Sequence, residues 1–283
     1  MWWGRPGLRW LTLALTLVAT ASKAEPERLS EIIFEPAGIG GLSAIAVSSD
    51  GTEFTALSDN ADYIHGTILR DGDIISGFAI IETVELHGSN GGDLRPSQKD
   101  SEGIAIRADG RIFISFERNH RIWAYDRPDQ PPIIYRRAQE FETLPNNAGL
   151  EALALSPSGN LIAIPEYNDG PVPIYEYGND WRIAGNLPVP QGFHVTGADY
   201  GPDGLLYILE RRFTGLSFAT RITRINTDGG YEVILQTPTG THGNLEGISI
   251  WLDDAGALRA TMVSDNNESP FVRGKLVEYR LGQ

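Results

Sequence analysis

Two series of residues, most of them acids, recur along this chain in a pattern that could bind a metal ion. The first row comprises Ser43, Glu102, Glu151, Thr196 and Glu246, each at the start of a short apolar stretch. The second row comprises Asp59, Glu117, Glu166, Glu210 and Asp265, each near the end of the following stretch. Carboxylates gathered in such number repel one another unless a cation offsets their charge. Calcium, which takes about six to eight oxygen ligands, is the divalent cation that this set favours.

The sequence also allows a structural use of these acids. Each second-row acid could accept hydrogen bonds from backbone amides of the following repeat, and the sequence does not decide between this use and metal binding. For Glu102, Glu151 and Glu246 we expect a functional role, because buried carboxylates near one axis are typical of working sites. Ser43 and Thr196 break the symmetry that a purely structural row would keep, which favours the same interpretation.

Basic side chains and histidines lie close to these acids in the sequence. His194 and His242 each precede a first-row stretch and are candidate general bases. Arg118 and Arg211 directly follow second-row acids and could orient an anionic group through paired N–H donors. The alternative for each arginine is an ion pair with a neighbouring acid. We expect all five histidines in one set of long loops: His65, His87, His120, His194 and His242.

A repeated phrase must position these residues. It begins at Gly41, Ser101, Leu150, Thr196 and Leu245, and its turn glycines (Gly51, Gly110, Gly159, Gly204 and Gly256) are 45 to 59 residues apart. About four short β-rich stretches fill each unit, and one four-stranded sheet cannot bury both of its faces alone. The spacing therefore predicts an all-β fold, a five-bladed β-propeller of four-stranded blades. Six blades is the alternative, if residues 61–100 hold further strands.

Closure of the ring follows from the last unit, which has only three strand-like stretches, EGISIWL, LRATMVSD and KLVEYRL. The stretch RLSEIIFEP from Arg28 supplies the fourth strand, so that no sheet edge is left open. Tight turns then lie on one end of the blades and long connections on the other. Binding residues concentrate on long loops of a rigid scaffold, so the first row and the long loops are predicted at the same end.

The ends and the composition of the chain indicate where it acts. Arg5, Arg9, the apolar run LTLALTLVATA and Ser22-Lys23-Ala24 predict a signal peptide over 1–24, with cleavage near Ala24. Residues 25–283 are then a single propeller domain, periplasmic or secreted, with no membrane anchor. We expect a monomer.

Composition excludes several classes of function. The chain has no cysteine, which excludes thiol catalysis and thiolate metal sites. Cleavage would leave 20 basic against 37 acidic residues, a net charge of −17 that disfavours nucleic acid and anionic membranes as partners. No GxSxG, HExxH, Walker or dinucleotide-binding motif is present.

The phrases SEGIAI, LEALAL and NLEGISI, each followed by a strand ending in SFERN, IPEYN or VSDNN, resemble those of the phytase-like propeller family with esterase-like activity. The resemblance runs from about Phe34 to Leu281. It implies a relationship to calcium-dependent β-propeller phytases, which hydrolyse phosphate esters at an acidic, metal-filled channel mouth. The matching residues here would be Glu102, Glu151, Glu246, Asp59 and Asp265.

We therefore expect an exported, metal-dependent hydrolase that acts on a small anionic ester, phosphoric or carboxylic, with Ca²⁺ as the metal. Two alternatives remain open. The chain could be a non-catalytic propeller of the cell envelope that binds a ligand or a protein over the same loops. It could also be a lactonase, which resembles what gluconolactonase-like and paraoxonase-like propellers do with a channel-mouth calcium.

Overall fold

The computed structural model describes residues 1, 24–36, 39–146, 148–166, 170–190, 192–266 and 272–282. Residues 2–23 of the predicted signal peptide (1–24) lie outside the described residues. Twenty strands in the described part form five antiparallel sheets of four strands each. Among these residues, no helix is both long enough and apolar enough to cross a membrane.

The strands follow one another in blade order. The N-terminal strand is β1 (Glu27–Ile33), and the first blade consists of β2 (Leu42–Val47), β3 (Glu53–Ser58), β4 (Asp62–Asp71) and β5 (Ile74–Glu85). The second blade consists of β6 (Ser101–Ile106), β7 (Ile112–Phe116), β8 (Arg121–Tyr125) and β9 (Ile133–Ile134). The third consists of β10 (Leu150–Leu155), β11 (Leu161–Pro165), β12 (Val172–Tyr177) and β13 (Trp181–Leu187). The fourth consists of β14 (His194–Tyr200), β15 (Leu206–Phe213), β16 (Phe218–Ile225) and β17 (Tyr231–Gln236). The fifth contains β18 (Asn244–Leu252), β19 (Leu258–Asp265) and β20 (Lys275–Arg280).

The fifth blade is completed by β1, which pairs antiparallel with β20 from Glu27↔Arg280 to Ile33↔Lys275. This confirms the predicted closure by the N-terminal strand. Between 61 and 100 the chain forms only β4, β5 and one helical turn, α1 (Pro96–Lys99). The count of five blades is therefore confirmed, and the six-bladed alternative is wrong because this stretch forms two long strands and no further sheet.

The core lies between the blades. Five hydrophobic clusters of buried residues each join two neighbouring blades, and together they run round the whole ring. One of them contains Leu57 of the first blade and Phe116 of the second. Another contains Phe54 of the first blade and Val263 of the fifth. Each sheet thus buries both of its faces against its neighbours, which is the physical reason for the repeat.

The innermost strands β2, β6, β10, β14 and β18 contact one another around the central axis. Glycines make this approach possible. A Cβ on Gly247 would lie 2.7 Å from the Cα of Ala44 on the next blade, and one on Gly197 would lie 2.7 Å from the carbonyl oxygen of Glu246. The glycine of the repeated Glu-Gly pair therefore serves blade packing, while the glutamate before it remains available for chemistry.

Candidate metal and active site

Each innermost strand carries a register irregularity at its first-row residue. The shifts fall between Leu42 and Ala44, Ser101 and Ile104, Leu150 and Ala152, Val195 and Gly197, and Leu245 and Gly247. A β-bulge leaves a residue out of the ladder and changes the direction of its side chain. All five first-row residues line one small axial void. The bulges thus bring side chains from five distant parts of the sequence to one axis.

The two hydroxyl residues of the first row join neighbouring blades. Ser43 Oγ donates to the carbonyl oxygen of Ser101 at 2.6 Å, from the first blade to the second. Thr196 Oγ1 donates to the carbonyl oxygen of Leu245 at 3.1 Å, from the fourth blade to the fifth. Ser43 and Thr196, the two first-row residues that are not acids, therefore have a structural role. The other three residues of the row are the glutamates on the axis.

These three glutamates have perturbed acidities. Burial raises the pKa of Glu102 well above its ordinary value, and the charges of Glu151, Glu246 and two further acids raise it more. Burial also raises the pKa of Glu151, where Glu166 adds to the effect and Arg211 opposes it. Burial raises the pKa of Glu246 to about 7 despite the opposing charge of Arg211. The axis therefore favours protons or a bound cation over three bare carboxylates.

Arg211 is an internal counterion of this site. Its Nη1 contacts a carboxylate oxygen of Glu246 and lies 2.5 Å from Asn244 Oδ1, and its Nη2 lies 3.2 Å from Glu166 Oε1. These acids hold the pKa of Arg211 above its ordinary value against the opposing effect of burial. Arg211 therefore fits the alternative interpretation of the arginines, an ion pair with neighbouring acids, and not that of a residue that orients a substrate anion, because its guanidinium pairs with Glu166 and Glu246.

Three acids near the axis form a cluster that could bind a hard cation. Asp100, Glu102 and Glu117 each offer a carboxylate oxygen, and these oxygens lie within 4.8 Å of one another. Oxygens that share one calcium ion at about 2.3 to 2.6 Å are at most about 5 Å apart, so one ion could reach all three. Oδ2 of Asp100 is buried, and its one close contact among the described residues is the charged Nε of Arg118 at 2.7 Å. The all-oxygen donor set of the three acids fits calcium.

Two arginines border this cluster. Arg118 is exposed, has a φ of 54°, and places its Nε 2.7 Å from Asp100 Oδ2. Arg121 is buried against the rings of Phe116 and Trp123 and donates to the carbonyl oxygen of Gln98, two residues before Asp100. Arg121 thus holds the loop that carries Asp100. Arg118 remains at the surface, where it could meet an anionic group.

The second-row acids have different surroundings. Glu117 accepts from the backbone N–H of Gly149 at 2.7 Å, so it links its blade to the next and also belongs to the acidic cluster. Glu166 contacts Arg211 of the following blade. Glu210 is fully buried and pairs with Arg221 at 2.7 and 2.8 Å, while Thr223 donates to it at 2.6 Å. Glu210 is therefore corrected from metal ligand to structural acid, because its charge is used within its own blade.

Asp59 and Asp265 lie where the first and fifth blades meet. The N–H of Asp59 donates to the carbonyl oxygen of Gly41, and a Cβ on Gly41 would lie 2.4 Å from the Asp59 carboxylate. Asp265 ends β19 opposite Asn244, and its charge raises the pKa of Glu246. Both acids lie at the same end of the ring as the axial glutamates, outside the cluster of Asp100, Glu102 and Glu117.

The histidines do not all share one face. His194 is 40 % exposed at the start of β14, with its Nδ1 3.3 Å from Glu166 Oε1. His242 is buried; its Nδ1 lies 2.8 Å from Glu31 Oε2 and its Nε2 lies 2.7 Å from Tyr279 Oη. The expectation of a catalytic His242 is corrected, because β1 and β20 enclose its ring. His65 is a β4 residue that lines a cavity at the opposite end of the axis.

A family model described as "Phytase-like: Esterase-like activity of phytase" matches residues 37–268, most of the chain. The chain belongs to this phytase-like family. Membership of the family indicates a hydrolase. No curated protein matches the chain in sequence.

Solved structures resemble this phytase-like protein in fold alone. An endo-arabinase from Bacteroides thetaiotaomicron has a TM-score of 0.51 at 14% identity, covering 87% of this chain and 96% of its own. The PQQ-bound aldose sugar dehydrogenase from Streptomyces coelicolor has a TM-score of 0.49 at 12% identity, covering 92% of this chain and 100% of its own. A gluconolactonase from Xanthomonas campestris has a TM-score of 0.48 at 14% identity, covering 85% of this chain and 72% of its own.

The repeat pattern does not indicate one residue of the acidic cluster, Asp100. Asp100 precedes the repeated phrase and has no equivalent in the aligned units, so a search for repeated acids passes over it. In the structure it follows α1 directly and joins Glu102 and Glu117. Burial raises the pKa of Asp100, while Arg118 and Arg121 lower it. An acid two residues before a first-row glutamate is the signal that could have indicated it.

Proposed function

We propose that this phytase-like protein hydrolyses small anionic esters, phosphoric or carboxylic, with calcium held at the acidic mouth of its axis. The observation that supports this most is the convergence of Asp100, Glu102 and Glu117 within 4.8 Å. All three have a pKa raised by burial. A bound divalent cation would offset the repulsion that these carboxylates otherwise feel.

Asp100, Glu102 and Glu117 would hold the ion. When bound, calcium would polarise the ester and lower the pKa of an attacking water. Metal binding must displace the protons that the raised pKa values favour, so affinity should be higher at pH 8 than at pH 5. Glu151, whose pKa is raised by burial, would donate its proton in a hydrogen bond to Glu117 and so help to hold that ligand in place.

His194 and Arg118 would serve the substrate. Nδ1 of His194 faces the carboxylate of Glu166, which favours the tautomer with the proton on Nδ1, so that Nε2 would be the atom that acts as base toward water. Arg118 pairs with Asp100 through its Nε but is exposed, and its remaining N–H groups would orient the anionic part of the ester. Arg211 would keep Glu166 and Glu246 in place by charge.

The test is a panel of p-nitrophenyl phosphate, p-nitrophenyl butyrate and a δ-lactone, assayed with calcium and with EGTA. We expect turnover of at least one ester that EGTA abolishes. Glu102→Gln should lower kcat/KM by about 10- to 100-fold, as loss of metal-site residues does. The matched control is Glu82→Gln, an exposed acid on the outer strand β5, which should leave activity unchanged.

Three outcomes would contradict the proposal. Ester turnover that neither EGTA nor Glu102→Gln changes would show that the axial acids do not act in catalysis. Turnover of the lactone alone would assign the same site to a lactonase. Calcium-dependent stability without turnover of any substrate would favour the non-catalytic binding propeller.

We also propose that the chain acts outside the cytoplasm after cleavage near Ala24. The support is the arrangement of basic, apolar and small residues over 1–24. Expression of the full chain with a C-terminal tag in a bacterial host should give periplasmic protein whose first residue is Glu25. Cytoplasmic protein that retains Met1 would refute export.

A further inference from the structure

A second cavity lies at the end of the axis opposite the acids. Ile45, Ile104 and Ile248 line both the small void below the first row and this larger cavity. The void is only about 10 Å³ in volume, so apolar side chains separate the two ends of the axis. The second cavity is therefore a distinct compartment and not a continuation of the acidic mouth.

The cavity has the size and lining of a small-molecule site. Its volume is about 610 Å³, within the range of roughly 300 to 1,000 Å³ that ligand pockets occupy. Val47, Ile106, Leu155, Tyr200 and Trp251 form much of its wall. Ile106 is 39 % exposed, so apolar surface faces water there. Covering this surface would favour binding of an apolar group.

The polar groups of the cavity indicate the charge of its ligand. Asp199 lines the wall, and its Oδ2 accepts from the N–H of Ile250 at 2.7 Å and from Ser249 Oγ at 3.4 Å. Burial raises the pKa of Asp199 to about 7. Glu53 and His65 lie on the same wall, with Glu53 Oε2 4.0 Å from His65 Nε2.

His65 adds an acceptor to this set. Its Nδ1 lies 3.1 Å from the carbonyl oxygen of Phe54, which can only accept, so the neutral ring carries its proton on Nδ1 and leaves Nε2 as an acceptor. Among the described residues that line the cavity, none is a lysine or an arginine. The wall thus offers carboxylates and an imidazole acceptor, which favour a cation over an anion.

We propose that this cavity binds a small organic amine, with the ammonium group at Asp199 and the hydrocarbon part against the isoleucines and Tyr200. The inference goes beyond the proposed hydrolase and does not depend on it, because no axial glutamate above the void lines this cavity. An ammonium group would offset the cost of burying the Asp199 carboxylate. A carboxylate or phosphate ligand would instead face Asp199 and Glu53.

The test compares phenethylammonium with its neutral analogue 2-phenylethanol by isothermal titration calorimetry. We expect the amine to bind more tightly than the alcohol. Asp199→Asn keeps the size and the acceptor of the side chain but removes its charge, and it should weaken amine binding about tenfold, as for loss of one charge pair. Asp254→Asn, an exposed acid of the β18–β19 turn, makes the same change of net charge outside the cavity and should have no effect.

Two further variants locate the binding. Ile106→Trp places a large side chain in the cavity and should abolish binding of both probes. Glu102→Gln, at the other end of the axis, should leave amine binding unchanged; loss of binding there would assign the amine to the acidic mouth and overturn the inference. Equal binding of amine and alcohol, or amine binding that Asp199→Asn does not weaken, would also overturn it.

Discussion

Replacing Arg211 with methionine should destabilise the protein in a way that depends on pH and calcium. Arg211 lies between Glu166 and Glu246 and contacts both. Methionine is of similar length but carries no charge and donates no hydrogen bond. The variant therefore leaves two largely buried carboxylates without their counterion, while the apolar part of the side chain is kept.

The structure allows the size of this effect to be worked out. Removing one partner of a buried ion pair costs about 3 to 5 kcal/mol. Glu246 gives an independent figure, because its pKa rises from 4.5 to about 7 even with Arg211 present. At about 1.4 kcal/mol per pH unit, ionising Glu246 at pH 8 already costs about 3 kcal/mol. Without Arg211 this cost increases, so we expect Arg211→Met to lower the free energy of unfolding by about 3 to 5 kcal/mol at pH 8.

The direction of the pH dependence follows from the upward shift of the Glu246 pKa. Because the pKa of Glu246 is raised in the folded state, its contribution to stability is present below about 4.5 and is lost as pH rises through about 7. At pH 5 Glu246 is protonated in both proteins, and the loss caused by Arg211→Met should fall to about 1 to 2 kcal/mol. Calcium should restore part of the stability at pH 8, since a cation bound to the neighbouring acids lowers the same repulsion.

Urea unfolding in EGTA, at pH 5 and pH 8, measures the loss of stability caused by Arg211→Met and its dependence on pH. The matched control is Arg136→Met, since this arginine is 79 % exposed and lies 3.5 Å from Asp180. It should change the free energy of unfolding by less than about 0.5 kcal/mol at either pH. An Arg211→Met protein as stable as the wild type at pH 8, or equally destabilised at both pH values, would refute the role of Arg211 as counterion.

Substitutions of His242, Glu210 and Asp100 give three further tests. His242→Ala should lower the free energy of unfolding by about 1 to 3 kcal/mol, because it removes the partner of the Tyr279 hydroxyl and one of the three partners of Glu31, while kcat stays unchanged. A fall in kcat with unchanged stability in urea would return His242 to the active site. Glu210→Gln should lower the free energy of unfolding by about 3 to 5 kcal/mol, because the buried Arg221 loses its charge partner. Calcium affinity measured by calorimetry should stay unchanged, and loss of calcium binding in a folded variant would indicate that Glu210 is a ligand. Asp100→Asn should weaken calcium binding by about 10- to 100-fold without unfolding the protein; unaltered affinity would exclude Asp100 from the site.

Much of the fold could be predicted because local chemistry repeats. Gly110 and Gly159 end their turns with positive φ, a conformation that favours glycine, and such turns divide the strands in every unit. Circular repetition then predicts that Glu102, Glu151 and Glu246 come to one axis, and the structure places them there. The bulges that turn these side chains could not be read from the sequence, because they are a property of strand pairing.

The residues that differed from expectation depend on long-range contacts. Glu210 has the position of a second-row acid, but Arg221 faces it across the β15–β16 pair, and this register decides that the charge is used inside the blade. His242 precedes an innermost strand, yet Glu31, 211 residues earlier, covers it once β1 closes the ring. The repeat predicts where a side chain lies around the axis, but it does not predict which residue pairs with that side chain.

A crystal structure of the protein grown at pH 8 with calcium chloride would show whether the axial acids hold a cation. We expect an ion bonded to oxygens of Asp100, Glu102 and Glu117 at about 2.3 to 2.6 Å. Density without an ion at these residues, with their carboxyl groups hydrogen-bonded to one another instead, would contradict this expectation.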